Sequence, residues 1–187
     1  DVYKRQVIDG DEAIDRVDVE IERASIPLLA MGETDEYNIR SVLTIVKINN
    51  ELERIADCAV NIAEVIAESA GEMADERAPA TFRVMANSVV GMVRDANNAL
   101  KGLDVELAEQ VLRFDDTVDR FKTEIFLDAE RKVADGDFGV SFAFRLRTIT
   151  AQLERMADHA TNMCEQVIYL ESGKTVRHTT TGWTNPQ

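Results

Sequence analysis

Residues 51–64 read ELERIADCAVNIAE, and residues 152–165 repeat the pattern as QLERMADHATNMCE. The two segments align without a gap, and both lie in long stretches where apolar residues recur every three or four positions, which predicts a helix for each. In each copy a glutamate and an aspartate stand four residues apart, so the two acids share one helix face. Such a pair destabilises a helix slightly unless a cation lies between the acids. The repetition predicts a duplicated helical unit in which the paired acids have the same role in both copies.

Composition restricts the class of protein. The chain has 187 residues with only 9 glycines and 3 prolines, which favours one domain or two small repeats built from few, long helices. The formal net charge of −14 makes nucleic-acid binding unfavourable and suits cations or basic protein surfaces. Cys58 and Cys164 have no zinc or redox spacing, and we interpret them as buried, reduced residues of a cytoplasmic protein. No apolar segment approaches the ~20 residues of a membrane span, so no membrane insertion is expected.

The apolar periodicity predicts five helices, which cover residues 7–31, 39–70, 80–101, 105–134 and 140–172. The start of the fourth helix aligns with the start of the first, so the last two helices repeat the first two. This predicts an all-α fold, a tandem repeat of antiparallel three-helix bundles. The first repeat lacks its N-terminal helix, the counterpart of the third helix.

The repeats also set the predicted domain limits. The first repeat covers residues 1–71, the second covers residues 72–174, and residues 175–187 form a polar tail. We interpret residues 1–6 as non-native sequence and leave them out of the fold prediction. No strand longer than a single bridge is expected anywhere in the chain.

Acids four residues apart also occur on the helices that precede the duplicated motif. We define the first carboxylate face as the four acids of the first repeat, Asp11, Asp15, Glu53 and Asp57. The second carboxylate face is the equivalent set of the second repeat, Asp115, Asp119, Glu154 and Asp158. In antiparallel helices the four carboxylates of each face converge, and oxygen-only ligand sets suit Mg²⁺, Mn²⁺ or iron. The alternative is a solvated acidic surface on which Arg54 and Arg155 are the partners.

Three further side chains beside these acids are secondary ligand candidates, namely Asn61, Asn162 and His159. Because His159 stands where the first copy has Cys58, packing between helices is the alternative role for this position. A ferritin-type di-iron site needs Glu-x-x-His on two helices, and neither His159 nor His178 stands three residues after a glutamate. That class of oxidase is therefore excluded, and no nucleophile with an adjacent base is evident.

The segments ERIADCAVNIAE (53–64), ERMADHATNMCE (154–165) and ESGKTVRH (171–178) resemble the PhoU family of phosphate-uptake regulators. The resemblance extends over residues 7–178. It implies two three-helix bundles related by a pseudo-twofold axis, with clusters of iron or other divalent ions (Mn, Zn or Mg) on the carboxylate faces. It also implies a cytoplasmic, non-enzymatic negative regulator, expected as a homodimer. Such a regulator links the ATPase of a phosphate-import ABC transporter to a sensor histidine kinase.

Three alternatives remain beside that interpretation. A PhoU-like domain of a sodium–phosphate cotransporter would share the same motifs. A metalloenzyme would use the carboxylate clusters for hydrolysis, although the sequence offers no evident base, nucleophile or pocket-forming loop. A plain helical scaffold would carry the acids only for solvation. Metal analysis separates the scaffold from the other classes, and phosphatase or oxidase assays separate the enzyme.

The heptad-like stripes also predict the core. Six stripe residues are expected to be buried, namely Leu52, Ile55, Ile62, Leu153, Met156 and Met163. Glu165, two turns after Asp158, is expected to lie outside the second carboxylate face and to tolerate replacement by glutamine.

Overall fold

The computed structural model describes residues 2–32, 35–69, 77–179 and 182–184, and these residues form five long helices. In chain order the helices are α1 (Val2–Ala30), α2 (Glu36–Ser69), α3 (Ala80–Gly102), α4 (Val105–Ala134) and α5 (Val140–Ser172). The predicted all-α fold is confirmed, and the predicted limits of α3, α4 and α5 are correct to within one residue. None of the described helices combines the length and apolarity needed to cross a membrane.

The first helix departs most from its predicted limits. α1 begins at Val2 rather than Val7, so residues 2–6 continue the helix. The non-native origin of residues 1–6 and the domain limits stay predictions. The limit between the repeats, at residue 71, lies outside the described residues.

The second repeat is a complete three-helix bundle, in which α3, α4 and α5 all pack on one another. Its core is formed by fully buried side chains from each helix, including Met85, Val89, Val118, Ile125 and Met163. Asp104 is the N-cap of α4, and its Oδ1 accepts a hydrogen bond of 3.0 Å from the Leu107 amide. The left-handed residue of the preceding turn is Leu103, with φ of 50°, and not Gly102.

The first repeat is an antiparallel pair, α1 on α2, that leaves apolar side chains exposed. Ile45 and Ile66 of α2 are 48% and 52% exposed, and Val17 and Leu29 of α1 are 49% and 43% exposed. In the second repeat α3 covers the equivalent surface of α4 and α5. Exposed apolar surface of this kind suits contact with another helix or protein, and the absence of one helix from the first repeat stays a prediction.

The two repeats join through α2 and α5, which are equivalent helices of the two copies. The start of α2 lies beside the end of α5: Tyr37 Oη donates to Glu171, and Arg40 Nε donates to the Leu170 carbonyl at 3.1 Å. The helices are therefore antiparallel, as a twofold relation between repeats requires. α5 ends at Gly173, whose φ of 71° is the left-handed conformation expected of a glycine C-cap.

The predicted core is confirmed for half of the stripe residues named above. Ile55, Leu153 and Met163 are buried, whereas Leu52, Ile62 and Met156 are half-buried against the same core.

The tail departs from its prediction. β1 (Arg177–Thr179) and β2 (Gly182–Thr184) pair antiparallel over three residues each, so the expectation of no strand beyond a single bridge is wrong. The tail is polar, which favours a loop, but it also contains threonine and tryptophan, which favour extended backbone. The prediction gave more weight to the polar composition than to this propensity.

Candidate functional site

The first carboxylate face forms where α1 lies antiparallel to α2. Partial desolvation raises the pKa of Asp11, and the negative charges of Asp15 and Asp57 raise it further. Partial desolvation likewise raises the pKa of Glu53, with the charges of Asp57 and Asp15 acting in the same direction. The four predicted acids of the first repeat therefore share one electrostatic neighbourhood. Their role as metal ligands stays a prediction.

The second carboxylate face forms in the same way between α4 and α5. Desolvation is the largest cause that raises the pKa of Asp158 from 3.8 to about 6. The charges of Glu154, Asp115 and Asp119 raise it further, in that order. Close approach of like charges disfavours the ionised form of each carboxyl, so this shift is the expected sign of convergence. The sequence-predicted acids of the second repeat also lie together.

A lysine that the sequence analysis did not consider enters the second face. Lys122 Nζ lies 2.6 Å from Glu154 Oε1, and the two side chains are 31% and 21% exposed. The hydrogen bond to Glu154 raises the pKa of Lys122, and the charges of Asp119 and Asp158 add to that effect. The available signal was its position three residues after Asp119, which places it on the same face of α4.

The equivalent position of the first repeat carries the opposite charge. Residues 110–125 align with residues 6–21, which places Asp18 at the position of Lys122. The negative charge of Asp18 contributes to the raised pKa of Glu53, so Asp18 is a fifth carboxylate beside the first face. Asn49 Nδ2 donates to Asp18 Oδ1 at 2.7 Å and fixes that side chain across α1 and α2.

The donor sets of the two faces differ in how well they suit a metal ion. The first face offers only oxygen donors, and Asp11 Oδ1 is buried without a hydrogen-bond partner in the structure. Hard cations prefer such oxygen sets, so the residues of the first face fit a divalent or iron-type ion. In the second face Glu154 is already bound by the Lys122 ammonium, so that set does not fit an ion without loss of this contact. The fit of the first face is one of donor chemistry only, because among the described residues no group of three or more His, Cys, Asp or Glu side chains is already arranged to hold a metal ion.

The secondary candidates lie at the contact between the repeats. His159 Nδ1 is 2.7 Å from Glu51 Oε2, and Asn162 Nδ2 donates to the same oxygen at 3.1 Å. Desolvation opposes ionisation of Glu51, but the hydrogen bonds from His159 and Asn162 lead the effects that lower its pKa overall. His159 and Asn162 therefore pair α5 with α2, whereas Asn61 is exposed. Glu51 was missed because its partners lie on the other repeat.

Two further expectations about single side chains have different outcomes. Cys58 and Cys164 are free and buried, as expected, and burial raises the pKa of Cys164 to about 12. Glu165, expected to lie outside the second carboxylate face and to tolerate replacement by glutamine, is only 6% exposed. Replacement of a buried carboxylate that has an interaction partner is not neutral, so Glu165 is unsuitable as a control position.

Comparison with known proteins identifies what the chain resembles. The family model described as the PhoU domain matches residues 2–66 and 82–167. A phosphate-specific transport system accessory protein PhoU homolog of Aquifex aeolicus is 34% identical over 176 residues, which cover 92% of this chain and 78% of that protein. PhoU homolog 1 of Thermotoga maritima is 33% identical over 173 residues, with 92% and 75% of the two chains covered.

Solved structures show the same fold. The crystal structure of PhoU from Pseudomonas aeruginosa superposes with a TM-score of 0.86 at 28% identity, covering 91% of this chain and 81% of that one. The regulatory protein PhoU of the phosphate transport system from Streptococcus pneumoniae superposes with a TM-score of 0.83 at 24% identity, covering 93% and 81%. At that lower identity the second likeness bears on the fold alone.

Proposed function

We propose that this chain, which belongs to the PhoU domain family, regulates phosphate uptake as a non-enzymatic accessory protein of a phosphate transport system. The observation that carries this proposal is the family match over both repeats, together with relatives at 33% and 34% identity that are named as accessory proteins of phosphate-specific transport. The match covers both duplicated motifs rather than one isolated helix, and this favours a shared function over a shared helical pattern.

The finer form of the proposal concerns partners. The chain acts as a cytoplasmic negative regulator that contacts the ATPase of a phosphate-import ABC transporter and a sensor histidine kinase, and it forms a homodimer. Its formal charge of −14 suits basic protein surfaces and disfavours phosphate backbones. The apolar side chains that α1 and α2 leave exposed, such as Val17 and Ile45, suit contacts with protein.

Metal binding is the second part of the proposal. The first carboxylate face holds an iron, Mn²⁺, Zn²⁺ or Mg²⁺ ion through Asp11, Asp15, Glu53 and Asp57. When bound, the cation neutralises charges that otherwise repel one another across α1 and α2. The side chains of Asp11 and Glu53 would hold the two helices together through it, because one acid comes from each helix.

Phosphate uptake by living cells tests the regulatory part. A bacterium whose own PhoU gene is deleted is supplied with this chain, and uptake of radioactive phosphate is followed in phosphate-replete medium. We expect lower uptake with the chain than with an empty vector. Leu153→Asp, which puts a charge at a position only 7% exposed, serves as the unfolded control. Equal uptake with the wild type and with Leu153→Asp, at matched protein levels, would contradict the proposal.

Affinity capture tests the partners directly. The purified chain is immobilised and exposed to lysate from phosphate-replete cells, with Leu153→Asp on a parallel support. Specific retention of the transporter ATPase and of a histidine kinase is the expected result. Retention of neither partner, in a lysate where both are detected, would reject the finer form and leave the uptake assay to decide the coarser one.

A further inference from the structure

The second carboxylate face contains a cation of its own. Lys122 Nζ lies 2.6 Å from Glu154 Oε1, a charge-assisted contact slightly shorter than the usual ~2.7–2.9 Å. Both side chains are less than one-third exposed, so solvent screens this pair less than a surface ion pair. The charges of Asp119 and Asp158 also raise the pKa of Lys122, so the ammonium lies within electrostatic range of both acids as well as in contact with Glu154.

The first carboxylate face has the reverse arrangement. Asp18 occupies the position that aligns with Lys122, so the faces differ there by two units of charge. Within residues 2–32 and 35–69, no ion pair to lysine or arginine is formed by Asp18 or by the four acids of the first face. The amide of Asn49 is the partner of Asp18, and an amide carries no net charge. The duplication therefore places the same four acids around a cation in one repeat and around a fifth acid in the other.

We propose that Lys122 is the built-in counter-cation of the second carboxylate face, and that it excludes metal ions from that face. The inference rests on the proposed function only where it contrasts this face with a metal-binding first face. A divalent ion bound by Glu154 and Asp158 would lie within a few ångströms of the ammonium. That repulsion opposes metal entry, and release of Lys122 would forfeit its hydrogen bond to Glu154. The second face thus keeps its helices together without metal.

Thermal melting in excess EDTA tests the counter-cation directly. Lys122→Met keeps the length of the apolar stem and removes the charge, which leaves the four acids of the face without their cation. We expect its melting temperature to fall by about 2–4 °C, the shift typical of one lost interaction in a chain of this length. Arg113→Met is the matched control, because Arg113 lies on the same helix in an exposed i,i+4 pair with Glu109. Equal melting of the two variants in EDTA would overturn the proposal.

Metal binding locates the ion. Protein stripped with EDTA is equilibrated with MnCl₂, freed of excess metal, and analysed for manganese. We expect Asp57→Asn, in the first face, to lower the bound manganese at least tenfold, and Asp158→Asn, in the second face, to leave it unchanged. Lys122→Asp, which copies the charge of Asp18 into the second face, is expected to raise the bound manganese to about twice the wild-type amount.

The outcomes separate this inference from the proposed function. If Asp158→Asn removes manganese as strongly as Asp57→Asn, the second face holds metal despite Lys122 and the inference is wrong, while metal binding by the chain survives. If the wild type binds no manganese, iron or zinc at all, the metal part of the proposed function is wrong. The EDTA comparison of Lys122→Met with Arg113→Met then still decides whether Lys122 is the counter-cation.

Discussion

Removal of one negative charge from the second carboxylate face is expected to stabilise the metal-free protein, and to do so only above about pH 4. Asp158→Asn keeps the shape of the side chain and leaves Glu154, Asp115 and Asp119 in place. The pKa of Asp158 is raised from 3.8 to about 6 in the folded protein. A carboxyl with a raised folded pKa stabilises the fold when it is protonated, and this contribution is lost as the pH rises from about 4 through about 6.

The magnitude follows from the size of the shift. A rise from 3.8 to about 6 corresponds to roughly 3 kcal/mol at about 1.36 kcal/mol per pKa unit, which is an upper limit. Asp158 is exposed, so solvent screening reduces the usable part to about 1 kcal/mol. We therefore expect Asp158→Asn to match the wild type at pH 4 and to exceed its free energy of unfolding by about 1 kcal/mol at pH 7.

Urea unfolding followed by far-ultraviolet circular dichroism, in EDTA at pH 4, 5, 6 and 7, measures this difference. Asp9→Asn controls for the loss of one charge, because Asp9 is exposed and stands two residues from Asp11, on another side of α1. The difference between Asp158→Asn and the wild type should grow between pH 4 and pH 6, and that for Asp9→Asn should not. A constant difference for Asp158→Asn across the series would refute the claim that the acids of this face repel one another.

Five further variants at four positions test the fold, each by urea unfolding at pH 7. Leu153→Ala removes a buried side chain of α5 and should cost about 2–5 kcal/mol, so a cost below about 1 kcal/mol would contradict its place in the core. Asp104→Ala removes the N-cap of α4 and should cost about 0.5–2 kcal/mol, whereas Asp104→Asn should retain most of the stability. Gly173→Ala should cost about 1 kcal/mol or more, since its φ is 71° and a Cβ would lie 2.7 Å from Arg40 Nη1. Gly91→Ala, at a helical glycine with open space around it, should instead stabilise by about 0.5–1 kcal/mol.

The features that were predictable from the sequence are local ones. Helix limits follow from apolar periodicity and end signals, and Asp104, Gly136 and Gly173 mark ends or turns where the structure also has them. The convergence of each set of acids was predictable as well, because the spacing of four residues fixes the face and a short connection makes the helices antiparallel. The duplicated motif strengthened both predictions, because the same spacing of apolar and acidic residues occurs on two separate helices.

The features that escaped prediction depend on what lies across a helix contact. Periodicity shows which face a residue occupies but not which side chain stands opposite, so the Lys122–Glu154 and Glu51–His159 contacts were not found. Glu165 was misplaced for the same reason. Its distance of two turns along α5 separates it from the acids of the carboxylate face, but this distance does not show that the residue lies inside the bundle.

Differences between the two copies indicate how the repeats are held together. Glu51 accepts a hydrogen bond from Asn162 and pairs with His159 across α2 and α5. In the alignment of the two repeats, the residue equivalent to Glu51 is Gln152. Gln152 Oε1 is buried without a hydrogen-bond partner in the structure, and an unsatisfied buried acceptor costs about 1–3 kcal/mol. The counterpart of His159 is Cys58, which is 1% exposed and contributes apolar packing in place of a charged hydrogen bond. The contact between the repeats is therefore polar and specific at Glu51, and mainly hydrophobic at Cys58. The duplication gives each repeat its four acids, but the two carboxylate faces differ in chemistry. The two ends of the contact between the repeats differ in the same way.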